Sequence, residues 1–241
     1  MKAKRLVLLA VTGTAVLALT GCSPSGNVAA QVGDHDVATS DVDFLTRMQC
    51  DTLDKAAKNP SSAGSTQMVA ISQVRSGMVN TLIQAELNRQ LAAREDLDYD
   101  KTTLRTVMDQ FESVVAQAPA KDRDRFRDQV EDVYRGQLQV YTLAQGQLES
   151  QGIANPSQEQ VDQAVSAIQD DFRKGVDIEV NPAYGADDDG VAGSADPSLS
   201  RAVSSFAKLA VSPPPDQSSD ADTQARYKAW VGKLPAGQRC G

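Results

Sequence analysis

Few residues in this chain could do chemistry, and their spacing restricts what that chemistry can be. The available nucleophiles and soft metal ligands are three cysteines (Cys22, Cys50, Cys240) and one histidine, His35. A single imidazole supplies neither a multi-histidine metal site nor a catalytic pair. Beside the turn-forming Gly33-Asp34, His35 reads as a solvated side chain. No Gly-x-Ser-x-Gly elbow, Walker-type loop or dinucleotide glycine pattern occurs. Gly185 to Asp196 places Asp187, Asp189 and Gly190 at positions three, five and six of a calcium loop, with Asp196 at twelve. Gly185 stands where the first carboxylate belongs and Pro197 follows at once, so the stretch reads as a solvated acidic linker. Acids at 122, 124 and 128 alternate with bases at 121, 123, 125 and 127, the pattern of an exposed helix start with local ion pairs. No catalytic residue, metal or cofactor is expected. The methionines Met48, Met68, Met78 and Met108 are adaptable enough to line a groove, although Met78 and Met108 fall on or beside apolar stripes and read first as core.

The elements carrying these residues are mostly helical. Val28 to Val37 reads as a short strand with a turn at Gly33-Asp34. Ser40 and Asp43 are spaced as a capping box for a helix reaching about Ala57, and Asn59 to Gly64 breaks it. A second helix, 67–94, carries Val79, Leu82, Ile83, Leu87 and Leu91 on one face, with Gln84, Glu86, Asn88 and Arg89 around the rest. A third has the cleanest three-four spacing: Leu104, Val107, Met108, Phe111, Val114 and Val115, stopped by Ala118-Pro119. The fourth, 121–150, places Phe126, Val130, Val133, Val140, Ala144 and Leu148 on one stripe. Ser157 and Gln160 form a capping box for the fifth, whose buried side is Val161, Val165, Ile168 and Phe172. Gly175 to Pro182 alternates like a strand. Helices with one apolar stripe each must bury those stripes on one another. The expected fold is therefore mainly α, with a small two-stranded β pairing of the domain's ends and a partly disordered C-terminal tail. Within the Asp/Gly/Ser/Pro-rich tail, short helices are expected at 198–209 and 222–234, the latter with Tyr227, Trp230 and Val231 as apolar contacts.

The first 22 residues carry the most specific signal. Lys2, Lys4 and Arg5 precede an apolar run from Leu6 to Ala18 that is too short for a permanent membrane span. Leu19-Thr20-Gly21-Cys22 resembles the bacterial lipobox, in which the thiol takes a diacylglyceryl group before cleavage. Expected boundaries are a lipoprotein signal peptide at 1–21, a tether at 22–27, a helical domain at 28–184, and linkers with short helical segments at 185–241. Cys22 is then the lipidated N-terminus of an exported protein held at the cell membrane on its extracytoplasmic side. One acyl chain anchors marginally and two stably, so the diacyl group (palmitate, for example) matters physically. In an exported protein the remaining cysteines, Cys50 and Cys240, are expected either to bond or to stay as free or intermolecular thiols. Without Lys2, Lys4 and Arg5 the 24 basic residues fall to 21 against 32 acids, a mature charge of about −11. That charge repels phosphate backbones, so nucleic acid is not an expected partner.

The order of several weak motifs resembles SurA/PrsA-type peptide-binding domains. Val32-Gly33-Asp34, Val37 and then Thr39-Ser40-Asp41-Val42-Asp43 are similar to the family's opening strand, turn and acidic helix start. Val79 to Leu87 is similar to its leucine-isoleucine helix, and Pro156 to Val161 to its capped closing helix. Val180-Asn181-Pro182-Ala183-Tyr184-Gly185 resembles a Val-Asn-Pro-Arg-Tyr-Gly segment of related lipoproteins, with Ala183 in place of the arginine. The resemblance implies a SurA N-terminal-like chaperone domain sheltering unfolded or newly exported polypeptides. About a dozen residues separate Phe172 from Tyr184, where many relatives carry a parvulin isomerase domain. A non-enzymatic chaperone without prolyl isomerase activity is expected; the alternative is a structural or adaptor lipoprotein with one specific envelope partner.

Overall fold

A computed structural model describes residues 26–58, 68–185, 192 and 221–241. The signal peptide, Cys22, the acidic-linker residues Asp187, Asp189, Gly190 and Asp196, and the helix expected at 198–209 lie outside the described residues.

Val28–Val32 (β1) turns back through Gly33-Asp34 into His35–Ala38 (β2), and Val32 pairs with His35. Gly33 has φ +58°, the left-handed conformation a two-residue hairpin turn asks of glycine. Ile178–Val180 (β4) adds to the other edge of β1, antiparallel, with Ala30 opposite Val180. The sheet thus has three strands in the order β2-β1-β4, where the sequence pointed to a two-stranded pairing. The difference comes from the turn, which splits the opening segment into a hairpin before the distant strand joins. Asn181 fastens the closing strand. Its backbone N–H donates to Ala29 O (2.9 Å), its Nδ2 donates to Val28 O (3.0 Å), and its Oδ1 accepts from Ala183 N (3.0 Å).

Thr39–Lys58 (α1) starts one residue before the expected cap, so Ser40 lies in its first turn; Thr39 N donates to Asn27 O at 3.0 Å. Val69–Ala70 (β3) leads into Ile71–Arg94 (α2), the central helix. Besides the expected stripe, α2 buries Asn88, at 1% exposure. The polar side of α2 is covered because Arg123–Ser150 (α4) and Gln158–Arg173 (α5) both pack on it. Asn88 Oδ1 accepts from Gln84 Nε2 (3.0 Å) and Gln169 Nε2 (2.9 Å), joining α2 to α5 through amides. Ser157 and Gln160 form the capping box that starts α5.

Lys101–Gln117 (α3), capped by Asp100, packs chiefly on α4. The main core gathers Val32, Val42, Val79, Ile83, Leu87, Val140 and Val180 from the sheet, α1, α2 and α4, with Tyr184 from the 3-10 turn Pro182–Tyr184 that follows β4.

The C-terminal segment is part of this body. Ala221–Lys233 (α6) buries Tyr227 and Val231, and Arg239–Cys240 (β5) pairs antiparallel with β3. Tyr227 Oη hydrogen-bonds the Gln73 side chain and accepts from Ala70 N at 3.4 Å. Cys50 on α1 is disulfide-bonded to Cys240, with their Cα atoms 5.1 Å apart. The described part of the tail is folded: the helix expected at 222–234 is present as α6, with Tyr227 and Val231 buried, and β5 follows it.

Candidate functional site

The apolar stripe of α3 is wider than its partner covers. Leu104 and Val115 are buried, whereas Val107, Met108, Phe111 and Val114 remain partly exposed. Phe111 leans on Tyr134 of α4 with ring centroids 5.0 Å apart. Between these side chains and the α1–α2 layer lies a groove of about 280 Å³. Leu45 of α1, Met78 of α2, Phe111 and Val114 of α3, and Phe126 and Val130 of α4 supply its apolar walls. Its polar lining is neutral: Gln49, Thr52, Thr81, Gln129, Tyr134 and Gln137. The groove therefore offers apolar contact area and amide or hydroxyl partners, without a charged side chain.

One end is fixed by contacts that run between elements. Lys55 Nζ donates to Gln117 O (2.5 Å), Arg47 pairs with Asp122 (3.5 Å) and Arg125 pairs with Asp41 (2.7 Å). Arg125 also lies over the Phe44 ring at 4.2 Å and Arg47 at 5.3 Å. Arg127 reaches Glu112 of α3 at 2.7 Å. The charge-alternating start of α4 has the local pairing the sequence suggested, Arg127 with Asp124 at 3.9 Å, and in addition clamps α4 to α1 and α3. The cation–π contacts of Arg125 and Arg47 on Phe44 each contribute about 0.5–1 kcal/mol, whereas the exposed ion pairs chiefly set orientation.

Gln129 forms the partition at the other side of the groove. Its Nε2 donates to Asp41 Oδ1 (2.8 Å), and its Oε1 is buried with no protein partner among the described residues. Beyond Gln129 and Val133 opens a second cavity of about 330 Å³ between β2, α2 and α4. Asp36, Asp41, Glu86, Arg89, Asp132 and Arg135 give it charge. Burial works to raise the Glu86 pKa. Hydrogen bonds from Arg89 and Gln90 and the charges of Arg89 and His35 outweigh it and hold the carboxyl below its ordinary 4.5. The hydrogen bond to Glu86 likewise raises Arg89, and the one to Glu131 raises Arg135. These shifts fix charges in place; they do not bring a group toward neutral pH, where proton transfer is catalysed best.

His35 is exposed in β2, and no cluster of three or more His, Cys, Asp or Glu side chains with metal-holding geometry occurs among the described residues. Met78 lines the groove while also packing on the core, and Met48 is core. The sequence did not single out Gln49, Thr52, Gln129, Asp36 or Glu86. Their signal was faint, because polar residues beside an apolar stripe look the same whether they face solvent or a groove.

Comparison with models of protein families, with curated proteins and with solved structures finds no match. The fold and groove define a class by themselves: a mainly helical protein whose distant strands join in one small sheet and whose third helix leaves an apolar slot open. No described helix is long and apolar enough to cross a membrane.

Proposed function

We propose that the protein is a membrane-anchored, extracytoplasmic chaperone-like lipoprotein of the SurA/PrsA type, without prolyl isomerase activity. It binds unfolded or newly exported polypeptides reversibly. The observation that carries this reading is the uncharged groove between α3 and the α1–α2 layer, with Phe111 and Val114 left partly exposed. An open apolar slot with neutral hydrogen-bonding groups accepts varied apolar segments and requires no reacting group. Two client side chains buried there contribute about 4 kcal/mol, corresponding to a Kd of about 1 mM before other costs. Such binding is weak and exchangeable, as a holding function needs. Cys22 carries the lipid, and the chain works at the membrane surface.

The test is aggregation suppression by residues 23–241 with several unrelated unfolding clients near equimolar ratio. Broad suppression is expected, together with a several-fold loss in Phe111→Asp/Val114→Asp, whose helix content is checked by circular dichroism. Suppression by the variant equal to wild type refutes the groove as the site. Failure with every client moves the reading to a structural or adaptor lipoprotein with one envelope partner. In the full chain, Cys22→Ser is expected to shift the protein from the membrane to the soluble fraction, and retention at the membrane refutes the lipid anchor.

A further inference from the structure

Across Gln129 the apolar groove has the charged cavity as its neighbour. Gln129 and Val133 line both the groove and the charged cavity, so the two are neighbours on adjacent faces of α4 between Phe126 and Gln139, with the Gln129 and Val133 side chains on the ridge between them. The two differ in charge. Four carboxylates of the cavity (Asp36, Asp41, Glu86, Asp132) face two guanidiniums, Arg89 and Arg135. Both guanidiniums are already engaged. Arg89 grips Glu86 through two hydrogen bonds (2.8 and 2.6 Å), and Arg135 is shared by Glu131 (2.7 Å) and Asp132 (2.9 Å). Asp41 is held by Arg125 from the rim. Asp36 is exposed and has no ion-pair partner among the described residues. Negative charge is left over on the cavity side of Gln129, while the groove side is neutral and apolar.

We infer that the groove and the neighbouring cavity together select polypeptide segments in which apolar side chains are followed or preceded, within a few residues, by lysine or arginine. The apolar side chains enter beside Phe111 and Phe126, and the basic side chain lies against Asp36 and Asp132. This inference rests on the groove being the polypeptide site proposed above and adds the class of client it prefers. The carboxylates attract the basic side chain, screened by salt because Asp36 and Asp132 are exposed, and an acidic segment meets repulsion in the same place.

The experiment measures binding of three fluorescent peptides of about ten residues to residues 23–241, which contain every described element. The peptides share one Phe-Leu-Val core flanked by Lys-Arg-Lys, Ser-Ser-Ser or Asp-Glu-Asp. The basic peptide is expected to bind about tenfold tighter than the acidic one at about 0.01 M salt, the gap closing to about twofold near 0.5 M. Asp36→Asn/Asp132→Asn is expected to remove most of the gap. Asp170→Asn/Asp171→Asn, an equal charge change on the exposed face of α5, is expected to keep it. Equal binding of all three peptides overturns the charge selection and leaves the groove reading standing. A preference reduced equally by both double variants also overturns it, because general surface acidity then accounts for the effect. No binding of any peptide overturns the groove reading and this inference together.

Discussion

Glu86 has its carboxylate in a largely buried place, 15% exposed, and keeps its charge because Arg89 and Gln90 donate to it. Its folded pKa lies below the ordinary 4.5, so its stabilising contribution is present above that value and is lost as pH falls through the lower folded one. Glu86→Gln is expected to be less stable than wild type near pH 7, with the gap shrinking as pH falls below 4.5, measured by urea unfolding at each pH. A gap unchanged between about pH 7 and about pH 3 contradicts this assignment. Asn88 and Gly136 teach a second lesson at this scale. A Cβ on Gly136 would stand 3.1 Å from Asn88 Cβ, so the glycine sets how closely α4 approaches α2. Neither role could be read from the sequence, where Asn88 falls on the polar side of its helix and Gly136 resembles a mere weak point.

Among elements, α5 and α3 mark the range from fully legible to half legible. The Ser157–Gln160 spacing announced the start of α5, and both reciprocal hydrogen bonds are present. Ser157→Ala is expected to cost about 1 kcal/mol in chemical denaturation, because one cap partner is removed from an exposed helix start. A loss under about 0.2 kcal/mol would show that the cap is replaced by water. The stripe of α3 was the clearest in the chain, yet periodicity says only that a face is apolar. That α3 meets α4 and leaves Phe111 and Val114 facing a groove depends on where α1 and α2 lie. Conversely, the Arg125 and Arg127 pairs cross between helices, and no sequence spacing encodes a partner more than a turn away.

On the scale of the molecule, the chain is closed at both ends by contacts across long separations. β4 returns to β1, and β5 returns to β3 with Cys240 bonded to Cys50 across 190 residues. A loop of that length gives an ideal entropic stabilisation of about 5 kcal/mol, usually less in practice. Cys50→Ser is expected to lower stability by about 2–4 kcal/mol and to make residues 221–241 the first site of limited proteolysis. A variant with the wild-type denaturation midpoint and cleavage pattern would show that α6 and β5 hold without the bond.

The sequence by itself determined the helical class, the five main helices to within a few residues, the Gly33 turn and the cap of α5. These follow from short-range physics: apolar periodicity, turn chemistry and local hydrogen bonds. It also carried the lipobox-like leader that motivates the proposed anchor. Only the tertiary structure decided that three strands share the end-pairing sheet and that the final helix belongs to the body. It alone brought neutral side chains from four helices around one groove, with carboxylates gathered beside it. Those outcomes depend on which faces meet across scores of residues, and a one-dimensional pattern records that a face must be covered but not what covers it.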